Sequence, residues 1–191
     1  MRKILTIAVL LILFLIGGAI FTAAKGYYPV AIVEGHWISA REWIRMQEGI
    51  LQSIASQTAS AGDPAINFTS KEGRALVEEV RKNSLILLIE DAIVEEKGGA
   101  VVGDFTNHIK QKADEALKGR GNIAQAVQAA YGFTMEEFNR FIVLPQSRRD
   151  AIEERLNEKG EEFETWLEQA KSDARVRLLF VPFGWNDKVV E

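Results

Sequence analysis

The segment Leu85-Ile86-Leu87-Leu88-Ile89 is an uninterrupted apolar run near the middle of the chain. It lies inside a longer stretch, from Thr69 to Lys97, whose apolar spacing and flanking residues are typical of one long helix. A helix that is apolar on every side has to be covered by several neighbours. The sequence therefore predicts a mostly α-helical domain with this run at the centre of its core.

Short motifs predict where this central helix begins and ends. Thr69 and Glu72 have the spacing of a capping box, in which side chains satisfy the free amides at a helix start. Gly98-Gly99 is a typical helix stop, and Gly62-Asp63-Pro64 indicates a loop over residues 59–67. We therefore expect the central helix to follow that loop and to end near Lys97.

Further helices are predicted on both sides of the central one. Ser39 with Glu42 and Thr134 with Glu137 form two more capping boxes. Pro145 should kink or split the helix that begins at Thr134, because proline has no amide hydrogen and clashes with the preceding turn. The other expected helices cover residues 39–58, 104–117, 122–131, 146–158 and 161–172, with Asp104 and Asn122 as caps and Gly132 and Gly160 as stops.

Two strands are predicted, one at each end of this helical region. Tyr28-Pro29-Val30-Ala31-Ile32-Val33 is short and rich in β-branched residues, and Glu34-Gly35 follows it as a turn. The segment from Arg175 to Pro182 alternates polar and apolar residues. A lone strand leaves half of its backbone groups without partners. We therefore expect a small two-stranded pairing between the N- and C-terminal segments, which closes the helical domain.

The N-terminus carries a candidate membrane segment. Twenty-one residues without formal charge, Ile4 to Ala24, follow Arg2 and Lys3 and end at Lys25. About 20 apolar residues match the roughly 30 Å of bilayer hydrocarbon, and the preceding positive charges favour a cytoplasmic start. Residues 1–25 are therefore expected to be a single-pass membrane anchor, and residues 26–191 one extracytoplasmic domain.

A cleavable signal peptide is the alternative interpretation of the same segment. Thr22-Ala23-Ala24 offers small residues at which a peptidase could cut. Gly17-Gly18-Ala19-Ile20-Phe21 extends the apolar segment beyond what a signal peptide needs, which favours an uncleaved anchor. The chain contains no cysteine, so a lipid-modified cysteine cannot serve as the anchor.

Composition excludes several classes of function. From residue 26 onward, 20 Lys and Arg residues stand against 27 Asp and Glu residues, a net charge of −7. The basic residues alternate with acids and form no basic stripe, so no nucleic acid partner is expected. Without cysteine, the domain has no disulfides and must be held by core packing.

Few residues suit catalysis or metal binding. The histidines are His36 and His108, and thiol catalysis is excluded. Asp104 lies one helical turn before His108 and could form half of a metal site, but no third ligand is evident. Glu90-Asp91 directly follows the apolar run and is interpreted as a cap or an ion pair to a neighbouring helix. We therefore expect no catalytic residues, no metal and no cofactor.

Aromatic residues exceed what a small helical core is expected to consume. A helical domain with such a surplus can present an apolar groove to extended or unfolded chains. The candidate groove residues are Trp43, Phe138 and Phe141.

Three segments resemble the extracytoplasmic foldases of the SurA and PrsA group. Val33-Glu34-Gly35-His36-Trp37-Ile38-Ser39 resembles the strand and helix start of that group, with glutamate at position 34 in place of asparagine. The helix from Val80 to Lys97, followed by Val101-Val102-Gly103-Asp104, is similar to the group's long helix. Tyr131-Gly132-Phe133-Thr134-Met135-Glu136-Glu137-Phe138 resembles a later helix start. The resemblance implies a helical domain like the N-terminal chaperone domain of SurA.

The resemblance has one informative gap. Such foldases commonly carry a parvulin prolyl isomerase domain before the closing helix, whereas only Asn157 to Gly160 separates the two parts here. The implied function is a membrane-anchored, chaperone-like domain that binds unfolded or newly exported polypeptides without isomerase activity. The alternative is a scaffold subunit that binds one dedicated membrane or envelope protein. An enzyme such as a prolyl isomerase is disfavoured, because its catalytic residues are absent.

Overall fold

The computed structural model describes residues 25–118 and 123–182 of the chain. Within these ranges the protein is mostly helical and carries a small three-stranded antiparallel sheet. None of the helices described there combines the length and apolarity that a membrane span requires. The predicted anchor at Ile4 to Ala24 lies outside the described residues, as does the predicted cap Asn122.

The sheet confirms the predicted pairing of the two chain ends and adds a strand to it. Strands β1 (Pro29–Val33), β2 (His36–Ser39) and β3 (Val176–Leu178) have the order β2-β1-β3. β1 and β2 form a hairpin whose two turn residues, Glu34 and Gly35, have positive φ angles of 50° and 97°. Turns of this kind match the twist of a two-residue hairpin. The expectation of only two strands was wrong, because the residues after the turn pair back onto β1.

Helix α1 (Ala40–Ala61) begins and ends at sequence signals. The Ser39 and Glu42 capping box is present with both of its hydrogen bonds. At the other end, Gly62 has a φ of 78° and its N–H donates to the carbonyls of Ala59 and Thr58. This confirms the predicted start, and the helix extends three residues beyond the predicted end.

Helix α2 (Lys71–Val102) differs from its predicted bounds at both ends. Ser70, not Thr69, is the N-cap, and its side chain accepts a hydrogen bond from the Gly73 N–H. The helix continues through Gly98 and stops at Gly103, which has a φ of 80°. Gly98 has a packing role, because a Cβ there would lie 2.4 Å from Cζ of Phe105.

The remaining helical segments follow as α3 (Phe105–Leu117), α4 (Ala124–Tyr131), α5 (Met135–Phe138), a π-helical turn (Asn139–Val143), α6 (Leu144–Asn157) and α7 (Phe163–Ser172). The Thr134 and Glu137 capping box is confirmed. The predicted disturbance at Pro145 takes the form of the π-helical turn, in which the Leu144 N–H donates to the Asn139 carbonyl five residues earlier. A π-helical turn displaces side chains from the regular helical spacing and is frequent at functional sites.

The core consists of three apolar clusters arranged along α2. The first joins the sheet to α1, α2 and α7, the second joins the end of α2 to α3, α6 and α7, and the third joins α1 to α4 and the π-helical turn. Leu85 and Ile89 are fully buried, as predicted. Leu87 is 42% exposed, so the expectation that the apolar run is covered on every side was wrong.

Candidate functional site

The uncovered side of α2 opens into a groove between the hairpin and the π-helical turn. One cavity of about 300 Å³ lies between β2 and α2, and a neighbouring one of about 270 Å³ lies between α2 and the start of α6. Both cavities are lined by Leu88, Asp91, Arg140 and Phe141. We call the two together the central groove and define it by the apolar residues Trp37, Leu87, Leu88, Phe141 and Leu144.

The apolar lining of the central groove is exposed to different degrees. Trp37 on β2 is 68% exposed at one side, and Leu87 on α2 is 42% exposed at the other. Between them, Leu88 is half-buried and Phe141 is buried in the third core cluster. The groove therefore has a floor anchored in the core and two exposed apolar side chains at its sides.

Ion pairs and a hydrogen bond join the walls of the central groove. Arg148 on α6 contacts Asp91 at 2.7 Å and Glu95 at 2.8 Å. On the hairpin side, Nε2 of His36 lies 3.2 Å from Glu96. Burial raises the pKa of Asp91, and the neighbouring Arg148 only partly offsets this effect. The Arg148 contacts join α6 to α2, and the His36 contact is an exposed hydrogen bond between β2 and α2.

A third cavity lies beside the central groove, along α1 and α5. It has a volume of about 530 Å³ and shares Glu42, Arg140 and Phe141 with the groove region. Arg140 pairs with Glu42 across the junction. Farther along, Arg45 binds both carboxylate oxygens of Glu137, at 2.6 and 2.9 Å, and these bonds hold the Glu137 pKa at about 2.

The carboxylates Glu90 and Asp91 form ion pairs with neighbouring helices, as one of the two sequence interpretations expected. Glu90 lies 2.6 Å from Nζ of Lys171 on α7 and 3.1 Å from Arg149 on α6. The Glu90 and Lys171 side chains are almost fully buried. This network joins α2 to α6 and α7 behind the groove and has a structural role.

The three predicted groove residues occupy different places. Trp43 is buried in the first core cluster, and its Nε1 donates to the Arg81 carbonyl at 2.8 Å. Phe138 is half-buried and packs against Tyr131, with ring centroids 5.8 Å apart. Phe141 lines the central groove. The structure thus brings Phe138 and Phe141 into one cluster and leaves Trp43 in another.

Sequence reasoning missed the most exposed groove residues, Trp37 and Leu87. Trp37 follows a two-residue turn and precedes the buried Ile38, so a period of two could have identified it as the outward residue of a strand. Leu87 lies in an all-apolar run that carries no internal signal for its exposed side.

The candidate half metal site is not completed. Both carboxylate oxygens of Asp104 accept hydrogen bonds from Asn107, and His108 lies 3.6 Å from Glu154. Glu154 also pairs with Lys112 at 2.8 Å, and this contact lowers the Glu154 pKa. Within residues 25–118 and 123–182, no group of three or more metal-ligand side chains is assembled.

Comparison with known proteins identifies no relative. No protein-family model, no curated protein and no solved structure matches the chain.

Proposed function

We propose that this protein is a chaperone-like binding domain that holds unfolded or newly exported polypeptides in the central groove. The observation that carries the proposal is the exposure of Trp37 and Leu87 beside a floor formed by Leu88 and Phe141. Exposed apolar side chains around a groove are typical of surfaces that bind other chains.

The charges around the groove favour one kind of segment. Four carboxylates and two arginines line the first cavity, a balance of −2 with His36 neutral; they are Glu42, Asp91, Glu95, Glu96, Arg140 and Arg148. An apolar segment flanked by lysine or arginine complements this balance. Because most of these charges are already paired, we expect weak binding with broad sequence tolerance.

The sequence supports the same class of function. The predicted anchor at Ile4 to Ala24 would hold the domain at the membrane, where exported chains emerge, and would raise its effective concentration there. The resemblance to the SurA group points to polypeptide binding without prolyl isomerase activity.

The test uses the full chain in lipid nanodiscs, mixed with a chemically denatured test protein whose aggregation is followed by light scattering. The proposal predicts that a modest molar excess of nanodisc-bound chain over the test protein suppresses aggregation. Empty nanodiscs at the same concentration serve as the control. Absence of suppression would contradict it. Capture of a single stoichiometric partner from a membrane extract, without suppression, would support a scaffold subunit instead.

A matched pair of variants tests the role of the groove. Leu87→Ser removes an exposed leucine from the central groove, whereas Ala100→Ser makes the same kind of change at an exposed residue of α2 that lines no part of the groove. Loss of one buried apolar contact is worth about 1.5 kcal/mol, so Leu87→Ser should weaken binding roughly tenfold. Ala100→Ser should leave binding unchanged, and equal effects of the two would place the binding surface elsewhere.

A further inference from the structure

A second apolar surface lies where the described chain begins. Tyr27, Tyr28, Ile44 and Phe180 are all exposed, and we call this set the aromatic face. The rings of Tyr28 and Phe180 meet edge to face, with centroids 6.4 Å apart. Tyr28 and Ile44 also line one shallow cavity of about 330 Å³. Tyr27 packs against Arg41, which lines that cavity, so the four side chains are joined into one surface. None of the four lines the central groove.

Backbone hydrogen bonds hold the aromatic face in place. The Leu179 N–H donates to the Val30 carbonyl at 2.8 Å, which positions Phe180 beside Tyr28 although the two are distant in sequence. The Ala40 N–H donates to the Tyr28 carbonyl at 2.9 Å, which joins this residue to the start of α1. The surface is therefore built by the sheet and α1.

Phe180 combines an unfavourable backbone conformation with an exposed aromatic ring. Its φ of 57° lies in the left-handed region, which costs a residue with a Cβ roughly 1–2 kcal/mol. Its side chain is 85% exposed, so burial among the described residues does not offset this cost. Burial of the ring in an apolar phase outside the domain would offset the cost.

The position of the face in the sequence identifies that phase. Tyr27 and Tyr28 follow closely on the uncharged segment Ile4 to Ala24, and Lys25 lies between them and that segment. Tyrosine is enriched at membrane interfaces, where its ring is apolar and its hydroxyl is hydrated. Lys25, Arg41, Arg45 and Glu48 line the same cavity as Tyr28. Because Glu48 pairs with Arg45, Lys25 and Arg41 leave this surface with positive charge in a domain that is negative overall. This charge complements anionic lipid headgroups.

We propose that the aromatic face lies in the interfacial layer of a bilayer that contains anionic phospholipid. The folded domain then rests on the membrane in one orientation instead of moving freely on its anchor. The inference shares the predicted anchor with the proposed function, but it does not depend on polypeptide binding.

The absence of native cysteine permits a site-specific test with the full chain. Pro182→Cys places a fluorophore two residues after Phe180 and leaves the aromatic face intact. Ser60→Cys is the matched control, because Ser60 is exposed near the far end of α1, roughly 30 Å from the start of that helix. Each labelled chain is reconstituted into vesicles of phosphatidylcholine and phosphatidylglycerol with a nitroxide-bearing lipid.

The proposal predicts that lipid nitroxide quenches the label at position 182 on the order of twofold more than the label at position 60. Adding Phe180→Ser to the Pro182→Cys chain should remove most of that difference. Equal quenching at the two positions, no response to Phe180→Ser, or a chain that does not float with the vesicles would overturn the proposal. None of these results depends on whether the chain suppresses aggregation, so the two proposals can fail separately.

Discussion

Two sides of α2 are apolar, but only one of them is covered by neighbouring elements, whereas the other faces the central groove. Near the C-terminal end, Gly98 lets Phe105 and Ile152 approach the helix so closely that no Cβ would fit. In the middle, Leu87 is left exposed beside the π-helical turn. The contrast teaches that similar apolar sequence becomes core or binding surface according to what the neighbouring elements can reach.

Adjacent carboxylates mark the boundary between the two regions. Glu90 points to the covered side and pairs with Lys171 on α7. Asp91, one residue later, lines the central groove and pairs with Arg148. Successive helical residues point about 100° apart, so one step along α2 turns from closed core to open groove.

Breaking the covered side should have the largest effect on stability. Lys171→Met removes the closest cation from the buried Glu90 carboxylate and should lower the free energy of unfolding by about 3 kcal/mol. Urea unfolding of the full chain in detergent micelles, followed by tryptophan fluorescence, measures this loss. Replacing both partners, with Glu90→Leu and Lys171→Met, should recover much of it. A loss below about 1 kcal/mol for the single variant would contradict a buried pair.

The contact between Arg45 on α1 and Glu137 on α5 should weaken in acid. Hydrogen bonds from Arg45 hold the Glu137 pKa at about 2 in the folded protein, against 4.5 for an ordinary glutamate. Because the folded pKa is lower, this stabilisation is present above pH 4.5 and is lost as the pH falls toward 2. Glu137→Gln should remove on the order of 2 kcal/mol at neutral pH and flatten the acid limb of the stability curve.

The neighbouring exposed residue provides the control for that experiment. Glu136→Gln should leave both the neutral stability and the acid limb close to those of the parent chain. Identical pH profiles for the parent and Glu137→Gln would show that this pair does not fasten α5 to α1.

Two adjacent glycines sharpen the comparison, because Gly98 lies on the covered side of α2 and Gly99 is exposed. Alanine at position 98 would press on Phe105 and Ile152, whereas nothing lies within 4 Å of a Cβ at position 99. Gly98→Ala should lower the free energy of unfolding by about 1 kcal/mol net of helix propensity, and Gly99→Ala should raise it by up to about 1 kcal/mol. Urea unfolding should therefore show a loss of stability for Gly98→Ala and a gain for Gly99→Ala. A gain in stability from both substitutions would show that the helix end is loosely packed.

Local signals in the sequence predicted much of the fold. Two capping boxes, at Ser39 and Thr134, lie where side chains meet backbone amides within three residues, so no distant contact is needed to recognise them. The β1 and β3 pairing followed from the need to satisfy backbone groups. These features depend on nearby chemistry or on a general rule.

The features that the sequence did not predict depend on contacts between residues that are far apart in the chain. Gly98 was interpreted as a helix stop because the aromatic ring that needs its space, Phe105, is brought there by the next helix. Trp43 was predicted to line a groove because it is a large aromatic residue, but the sheet and α2 cover it. Of the predicted groove residues, only Phe141 lines the central groove, because the π-helical turn places it there.

The central claim, that the groove binds polypeptides, is tested most directly by photo-crosslinking. A benzophenone attached at Leu87→Cys in the full chain lies in the central groove, and one at Ser60→Cys lies outside it, near the end of α1. Irradiation with a denatured test protein should give adducts from position 87 and few from position 60, and excess unlabelled polypeptide should compete them away. Equal yields from the two positions, or adducts that resist competition, would contradict the account.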